Sequence, residues 1–238
     1  MSMSPILPGG YNRTLNAPFD TSMPFPFLRS RRTVLAAGVV ALCLGAGMAR
    51  AAQPAVLLVV GDSISAGYGL PKGTGWVDLL AARIEAQHLP FRVVNASISG
   101  DTTAGGRARL PALLAQHKPA VVVIELGGND GLRGGSVKAA RENLDAMLGD
   151  VAKSGARAVL VGMRLPPNYG PAYTREFGAM YGELAQAHHV ALVPFLFEGF
   201  GESSELFQPD RIHPTAAAQP KLLDNLWPVL APLLGKPR

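Results

Sequence analysis

The chain has 238 residues, of which 48% are hydrophobic and 16% are charged, and it contains a single cysteine. This composition excludes a disordered polar chain and a fold that depends on disulfides, and it predicts one substantial globular core. The formal net charge is +5, but five of the 22 Lys and Arg residues and one of the 17 Asp and Glu residues precede residue 52, so the remainder carries about +1. Because no basic stripe with interleaved aromatic residues is present, we expect no nucleic-acid partner.

The first 51 residues differ from the rest of the chain. Residues 1–28 show no helical or strand periodicity, and a twin-arginine pattern follows them at 29–32. An apolar segment at 34–48 then leads to a small-x-small cleavage site that ends at Ala51. We interpret residues 1–51 as an N-terminal extension with a cleaved signal peptide of the twin-arginine type, and the remainder, 52–238, as a single domain.

This leader predicts a periplasmic or secreted protein. Its apolar segment is shorter than the roughly 20 residues that a spanning helix needs, which disfavours an uncleaved membrane anchor. Cys43 lies inside that segment after the bulky Leu42, so a lipid anchor is not expected either. Export by the general route and translation from Met3 or Met23 instead of Met1 stay open as alternatives.

From residue 52 onwards, short apolar runs alternate with helical patterns, which is typical of parallel βαβ units in an α/β fold. The predicted strands cover residues 56–60, 91–95, 120–126, 157–162 and 190–193. The predicted helices cover residues 76–87, 105–117, 137–153, 172–188 and roughly 216–234. Prolines at 220 and 228 should bend or split the last helix.

In an open parallel sheet, ligands bind beyond the carboxyl ends of the strands. Ser63 follows the first predicted strand, Gly100 lies in the loop after the second, and Asn129 lies in the loop after the third. We therefore expect these three loops to meet at one edge of the sheet. A glycine allows close approach of the backbone and a short amide can donate a hydrogen bond, so both suit an oxyanion hole together with the Ser63 N–H.

Asp210 and His213 stand three residues apart near the C-terminus. A serine hydroxyl becomes a nucleophile when a base lies within hydrogen-bond reach and a third group orients that base, so Ser63, His213 and Asp210 are a candidate triad. Taken singly, Ser63 is more simply a helix N-cap and His213 a loop residue, and the glycine and asparagine are ordinary turn residues. The joint pattern is what indicates catalysis.

Four ordered blocks of sequence resemble the SGNH, or GDSL-type, hydrolases. They are GDSIS at 61–65, Gly100, GND at 128–130 and DRIHP at 210–214. The resemblance covers most of residues 55–235. Two further segments, 127–134 and 163–170, are similar to bacterial periplasmic enzymes with thioesterase, protease and lysophospholipase activity and to related arylesterases.

The resemblance implies a three-layer α/β/α sandwich with a five-stranded parallel sheet in flavodoxin-like order. It implies Ser63 as the nucleophile, His213 as general base and then general acid, and Asp210 as the partner that orients His213. The Ser63 and Gly100 N–H groups and the Asn129 side chain would hold the oxyanion. An acyl groove is implied beside the nucleophile, and the residues expected to bind substrate there are Asp62, Gly128, Leu132, Pro166, Asn168 and Tyr169.

We expect a serine esterase that hydrolyses carboxylic esters and thioesters of medium or long acyl chains through an acyl-enzyme. The substrate is a small molecule, and we expect no cofactor, no metal and a monomer. The adjacent His188 and His189 do not indicate a metal site because neighbouring side chains point in different directions. Two alternatives stay open: an esterase for short-chain or carbohydrate acetyl groups, and a non-catalytic module whose loop after the first strand cradles a phosphate.

Three further features concern the surroundings of the predicted site. Asp62 has a simpler interpretation as a structural hydrogen-bonding residue. Arg211 stands where close relatives often have a small residue, which leaves the preferred leaving group open. The phenylalanines before Asp210 either cap the acyl groove or pack against each other, and they are Phe195, Phe197, Phe200 and Phe207.

Overall fold

The computed structural model of the protein describes residues 53–235. The predicted signal peptide and its cleavage site lie outside the described residues, so the boundary between residues 51 and 52 stays a prediction. None of the helices in the described range combines the length and the apolar character that crossing a bilayer requires.

Five strands, each at a predicted position, form one parallel sheet. They are β1 (Ala55–Gly61), β2 (Phe91–Asn95), β3 (Val121–Glu125), β4 (Arg157–Val161) and β5 (Ala191–Val193). Their order is β2-β1-β3-β4-β5 and every pairing is parallel, which confirms the flavodoxin-like α/β fold. Every residue of β3 is buried, because a central parallel strand is covered on both faces, and this explains its uninterrupted apolar run.

Seven α-helices connect and flank these strands within the described residues. They are α1 (Ser63–Ala66), α2 (Trp76–Ala86), α3 (Thr103–His117), α4 (Gly128–Leu132), α5 (Val137–Lys153), α6 (Pro171–His188) and α7 (Gln219–Leu234). The five long helices match the predicted ones to within about three residues at each end. The one-turn helices α1 and α4 follow β1 and β3 directly, and they are too short to show a helical period in the sequence.

The helices form two layers, one on each face of the sheet. Helices α3, α5 and α6 pack side by side on one face, and α2 and α7 pack together on the other. Buried residues recur every three or four positions along α5, as expected for a helix with one face on the core: Val137, Ala140, Leu144, Met147, Leu148 and Val151. The three-layer α/β/α architecture is therefore confirmed.

Helix α7 runs as one element through its prolines, so the expected split is not found. Pro220 occupies the first turn, where no intrahelical N–H is needed. Pro228 and a second interior proline, Pro232, lie four residues apart on the exposed face. Each proline frees the carbonyl four residues earlier, and these carbonyls belong to the exposed residues Asp224 and Pro228, where water can satisfy them.

Two glycine substitutions test the packing that positions the end of β4. Gly162 is buried after β4, and a Cβ there would overlap the carbonyl oxygen of Pro194. We expect Gly162→Ala to lower the free energy of unfolding by about 1–3 kcal/mol, because the backbone contact cannot yield. The matched control is Gly149→Ala within α5, where nothing lies within 4 Å and alanine should stabilise the helix by about 0.5–1 kcal/mol.

Urea unfolding of both variants measures these changes. Equal effects of the two substitutions would contradict the close approach of the loops that follow β4 and β5.

Candidate active site

The loops after β1, β2 and β3 meet at the carboxyl edge of the sheet, where the strand order reverses between β1 and β3. Asn129, in the first turn of α4, joins all three loops through its Nδ2 atom. This atom donates to Asp62 Oδ2 in the loop after β1 (3.0 Å) and to the main-chain oxygen of Asp101 in the loop after β2 (2.9 Å). The predicted convergence of the three loops is confirmed.

Ser63 is the first residue of α1 and is buried, with 9% of its surface exposed. The helix is capped by Asp62, whose Oδ1 accepts the N–H of Ile64 (3.0 Å), and it ends at Gly67 with a φ of 73°. Since Asp62 supplies the cap, the interpretation of Ser63 as an N-cap is wrong. The Ser63 hydroxyl is left free for another partner.

That partner is His213. The distance from Ser63 Oγ to His213 Nε2 is 2.8 Å, and the distance from His213 Nδ1 to Asp210 Oδ2 is 2.7 Å. Asp210 Oδ1 also accepts the main-chain N–H groups of Ile212 (2.9 Å) and His213 (3.0 Å), which fixes the turn between them. The structure thus brings the three residues of the predicted triad into one hydrogen-bonded chain.

The charge of Asp210 decides which nitrogen of His213 carries the proton. Partial burial raises the pKa of Asp210, but the hydrogen bonds from the His213 side chain and from the His213 and Ile212 N–H groups outweigh it and lower this pKa to about 2. The ionised carboxylate can only accept, so Nδ1 donates to it. His213 Nε2 is then an acceptor, and the Ser63 hydroxyl donates its hydrogen bond to it.

Two residues that the sequence did not single out hold His213 in place. The ring of Tyr68 lies 4.5 Å from the His213 ring, centroid to centroid. Gln208 donates from Nε2 to the Tyr68 carbonyl (2.9 Å), and its main-chain N–H donates to the His213 carbonyl (2.7 Å). These contacts tie the turn of His213 to the loop after α1, and no sequence pattern marks either residue.

Two backbone N–H groups, one in each of the loops after β1 and β2, are available as donors. Among residues 53–235, neither the Ser63 N–H nor the Gly100 N–H has a hydrogen-bond acceptor. Gly100 has a φ of 80°, a conformation that glycine adopts without strain. Unpaired N–H groups close to a nucleophile suit an anion that forms transiently, which is what the predicted oxyanion hole requires.

Asp62 links this edge to the core beneath it. Burial raises the pKa of Asp62 to about 6, although the Ile64 N–H, the charge of His213 and the Asn129 amide act in the opposite direction. Its two oxygens accept from Ile64 and Asn129. Asp62 therefore fits the structural role expected of it, since it caps α1 and orients Asn129.

A second buried carboxyl, Glu125, lies at the end of β3 beneath α1. Its Oε2 accepts the hydroxyl of Ser65 (2.6 Å), and its Oε1 has no partner among the described residues. Burial, together with the nearby charge of Asp62, raises the pKa of Glu125 well above its usual range. The sequence analysis did not single out Glu125. The feature that could have indicated it is an acidic residue at the end of a run of four apolar residues, all of which are buried in β3.

Arg109, on α3, joins the end of β1 to the loop after β2. Its Nε donates to Asp101 Oδ2 (2.8 Å), its Nη2 donates to the Gly61 carbonyl (3.3 Å), and its Nη1 donates to the Ala96 carbonyl. Because Asp101 also accepts from Asn129, Arg109 supports the loop that carries Gly100. No sequence pattern indicates this role, since a single arginine on a helix is not distinctive.

A cavity of about 840 Å³ opens beside Ser63 and His213. One part of its wall is a cluster of aromatic rings whose centroids lie 5.5–6.0 Å apart, and which comprises Phe195, Phe197, Phe200 and Phe207. Both interpretations of these residues hold, because the rings pack against each other and also line the cavity. Met163 and Leu165 add further apolar wall.

The predicted groove residues divide into two groups. Those that line the cavity are Asp62, Gly128, Leu132 and Pro166. Asn168 and Tyr169 are outside the lining, in a 3₁₀ turn over Pro167–Tyr169. The Tyr169 hydroxyl donates to the Leu132 carbonyl (2.9 Å), so Tyr169 supports the wall and does not form it, while Asn168 is exposed.

The two adjacent histidines have separate surroundings. His188 Nε2 lies 2.7 Å from Asp145 Oδ1, and His189 adopts a left-handed conformation that ends α6. Within residues 53–235, no group of three or more His, Cys, Asp or Glu side chains is placed to hold a metal ion. The expected absence of a metal stays a prediction.

Residues 59–219 match the family described as the GDSL-like lipase/acylhydrolase family. The chain belongs to this family. It is 53% identical over 203 residues to esterase TesA of Pseudomonas aeruginosa, a match that covers 85% of this chain and 100% of that protein. It is 44% identical over 186 residues to thioesterase 1/protease 1/lysophospholipase L1 of Escherichia coli, which covers 78% of this chain and 88% of that protein.

The fold agrees with that of a solved relative. The crystal structure of TesA matches with a TM-score of 0.74 at 56% identity, and the match covers 75% of this chain and 99% of that one. As a member of the GDSL-like lipase/acylhydrolase family, the protein is a hydrolase that acts on ester bonds of small-molecule substrates. The predicted family and enzyme class are confirmed, and the alternative of a non-catalytic binding module is wrong.

The buried Glu125 should make stability depend on pH. The unfolded carboxyl loses its proton near the usual pKa of 4.5, whereas the folded protein retains the proton to higher pH. The free energy of unfolding should therefore fall as pH rises above this value, by up to about 1.4 kcal/mol per pH unit. In Glu125→Gln the fall should be less steep, because the amide keeps the shape and does not titrate.

Urea unfolding between pH 5 and pH 8 measures these slopes. Glu142→Gln is the control, since Glu142 is exposed on α5 and its removal should leave the wild-type slope. Asp62 also has a raised pKa, so it makes the free energy of unfolding fall with rising pH in the wild type and in both variants. Identical slopes for wild type and Glu125→Gln would contradict a protonated Glu125 in the folded state.

Proposed function

We propose that the protein is a serine esterase that hydrolyses esters and thioesters of medium or long acyl chains through a Ser63 acyl-enzyme. The observation that carries this proposal is the hydrogen-bonded chain of Ser63, His213 and Asp210 beside a cavity with a phenylalanine wall. A buried hydroxyl that donates to a histidine oriented by an ionised carboxylate is the arrangement that activates a serine. No metal or cofactor takes part in the proposed steps.

In the first step, Ser63 Oγ attacks the carbonyl carbon of the substrate while His213 Nε2 removes the hydroxyl proton. The carbonyl π electrons move to oxygen, which becomes the oxyanion of a tetrahedral adduct. The unpaired N–H groups of Ser63 and Gly100 would stabilise this charge, as would one N–H of Asn129 if it exchanged its partner Asp101 for the oxyanion. Collapse of the adduct breaks the bond to the alcohol or thiol, which leaves with the proton from His213.

The second step repeats this chemistry with water. His213 removes a proton from water as the oxygen attacks the acyl carbon, and the second adduct collapses to release the acid and restore the Ser63 hydroxyl. Asp210 stabilises the positive charge of His213 in both steps, because its lowered pKa keeps it ionised.

The cavity favours medium or long acyl chains over acetyl groups. Its volume of about 840 Å³ lies within the usual range for sites that enclose whole organic ligands, and its phenylalanine wall offers apolar surface to a hydrocarbon chain. The relatives named as esterase, thioesterase and lysophospholipase support a substrate range that includes these linkages. A short-chain acetyl esterase would leave most of this wall without a substrate contact.

The cellular location that we propose for the enzyme rests on its predicted signal peptide. The twin-arginine pattern and cleavage site within residues 1–51 support export to the periplasm or secretion, with residues 52–238 as the mature enzyme. We propose that this mature enzyme acts as a monomer, because the triad and the cavity are built from one chain.

The chain-length preference can be measured with p-nitrophenyl esters from acetate to palmitate. We expect kcat/KM to rise from acetate to medium chains by up to about fourfold per buried methylene, which corresponds to about 0.8 kcal/mol each. Ser63→Ala should lower kcat by about 10³-fold or more. Ser204→Ala is the control, because this exposed serine makes no side-chain hydrogen bond with the described residues.

Highest activity on acetate would contradict the long-chain proposal and favour the acetyl esterase. Retention of activity in Ser63→Ala would contradict the proposed nucleophile.

A further inference from the structure

Arg211 has a backbone conformation that an arginine rarely adopts. Its φ is 59°, in the left-handed region. The other non-glycine residues with positive φ in the described range are His88, Lys118 and His189, and each of them follows the end of a long helix. A left-handed residue is the usual way to end a helix, but Arg211 ends none.

The turn of the triad imposes this conformation. The Arg211 N–H donates to the Gln208 carbonyl (2.8 Å), and on its other side Asp210 Oδ1 accepts the N–H groups of Ile212 and His213. Glycine would fit this position without strain, and asparagine would fit it with little. An arginine at a strained backbone position points to a use for its side chain.

Arg211 lines the same cavity as Ser63 and His213. The other cation in the lining is Arg164, which is engaged: its Nη1 lies 3.6 Å from Glu198 Oε2, and its guanidinium lies 4.6 Å above the Phe195 ring. Arg211 forms no ion pair and no side-chain hydrogen bond with any residue from 53 to 235.

None of the acidic residues that line the cavity forms an ion pair with Arg211. Asp62 is buried and bonded to Asn129, and Glu198 lies beside Arg164. Glu202 is exposed and has no ion pair with the described residues. The cavity therefore presents one uncommitted guanidinium, on the turn that carries His213.

We propose that Arg211 forms a subsite for a phosphate group carried by the leaving alcohol or thiol. This inference rests on the proposed function, in which His213 protonates the leaving atom. Arg211 lies two residues before His213 on the same turn, so the atoms beyond the scissile bond pass close to it. A guanidinium binds phosphate oxygens with two parallel hydrogen bonds, and the substrates that fit are lysophospholipids and acyl-coenzyme A.

Matched substrates compare a leaving group that carries phosphate with one that does not. Lauroyl-coenzyme A is paired with lauroyl-pantetheine, and lauroyl-lysophosphatidylglycerol is paired with monolauroylglycerol. Within each pair the acyl chain and the scissile bond are the same, and only one member carries phosphate. The quantity measured is the ratio of kcat/KM between the two members, for the wild type and for Arg211→Gln, Arg211→Lys and Arg211→Gly.

We expect Arg211→Gln and Arg211→Gly to lower this ratio by about tenfold or more, mainly through KM of the phosphate-bearing member. Arg211→Lys should retain part of the preference, because it keeps the charge without the planar fork. Arg211→Gly fits the left-handed backbone, so its loss of preference cannot result from a misfolded turn. Arg92→Gln, an exposed arginine of β2 outside the cavity lining, is the matched control and should leave the ratio as in the wild type.

A lowered ratio in the coenzyme A pair alone, or in the lysophospholipid pair alone, supports the subsite and identifies the source of its phosphate. Equal losses on both members of each pair overturn it and assign Arg211 to positioning of the triad turn. Unchanged ratios overturn it too. If the wild type hydrolyses none of the lauroyl substrates but does hydrolyse acetate, the long-chain proposal fails, and acetyl-coenzyme A with acetyl-pantetheine then tests Arg211 by itself.

Discussion

The hydrogen bond between Ser63 and His213 joins residues 150 positions apart in the sequence, and the rest of the site depends on it. It forms because the turn at 210–214 is held against the loop after α1. Gln208 bonds to the Tyr68 carbonyl, and Gln219 Oε1 accepts the N–H of Trp76 at the start of α2 (3.0 Å). The C-terminal segment thus closes onto the first βα unit, and the proposed mechanism requires this long-range closure.

The carboxyl groups around Ser63, the proposed nucleophile, differ in pKa because their environments differ. Asp210 is only partly buried and accepts three hydrogen bonds, which outweigh the effect of burial, so its pKa falls to about 2. Asp62 and Glu125 are buried at the carboxyl edge of the sheet, and burial raises the pKa of each. The carboxylate behind His213 therefore stays ionised and can stabilise a protonated imidazole, whereas the raised pKa of Glu125 favours a neutral group beneath the proposed oxyanion hole.

Much of this arrangement could be predicted from the sequence. The apolar runs located all five strands, and the ordered blocks around Ser63, Asn129 and His213 indicated residues that the fold does bring together. What could not be predicted depends on contacts between distant segments. The prolines of α7 are tolerated because their freed carbonyls face solvent, which a sequence does not reveal. Arg109 supports the loop of Gly100 from a helix with no recognisable pattern.

The most direct test of the account is to label the enzyme with a fluorophosphonate and locate the adduct by mass spectrometry. If Ser63 is the nucleophile and His213 its base, we expect a single adduct on Ser63, inactivation in step with labelling, and much slower labelling in His213→Ala. Ser65 lies two residues away and donates its hydroxyl to the buried Glu125, so it should stay unlabelled. An adduct on Ser65, or full esterase activity after Ser63 is labelled, would contradict the account.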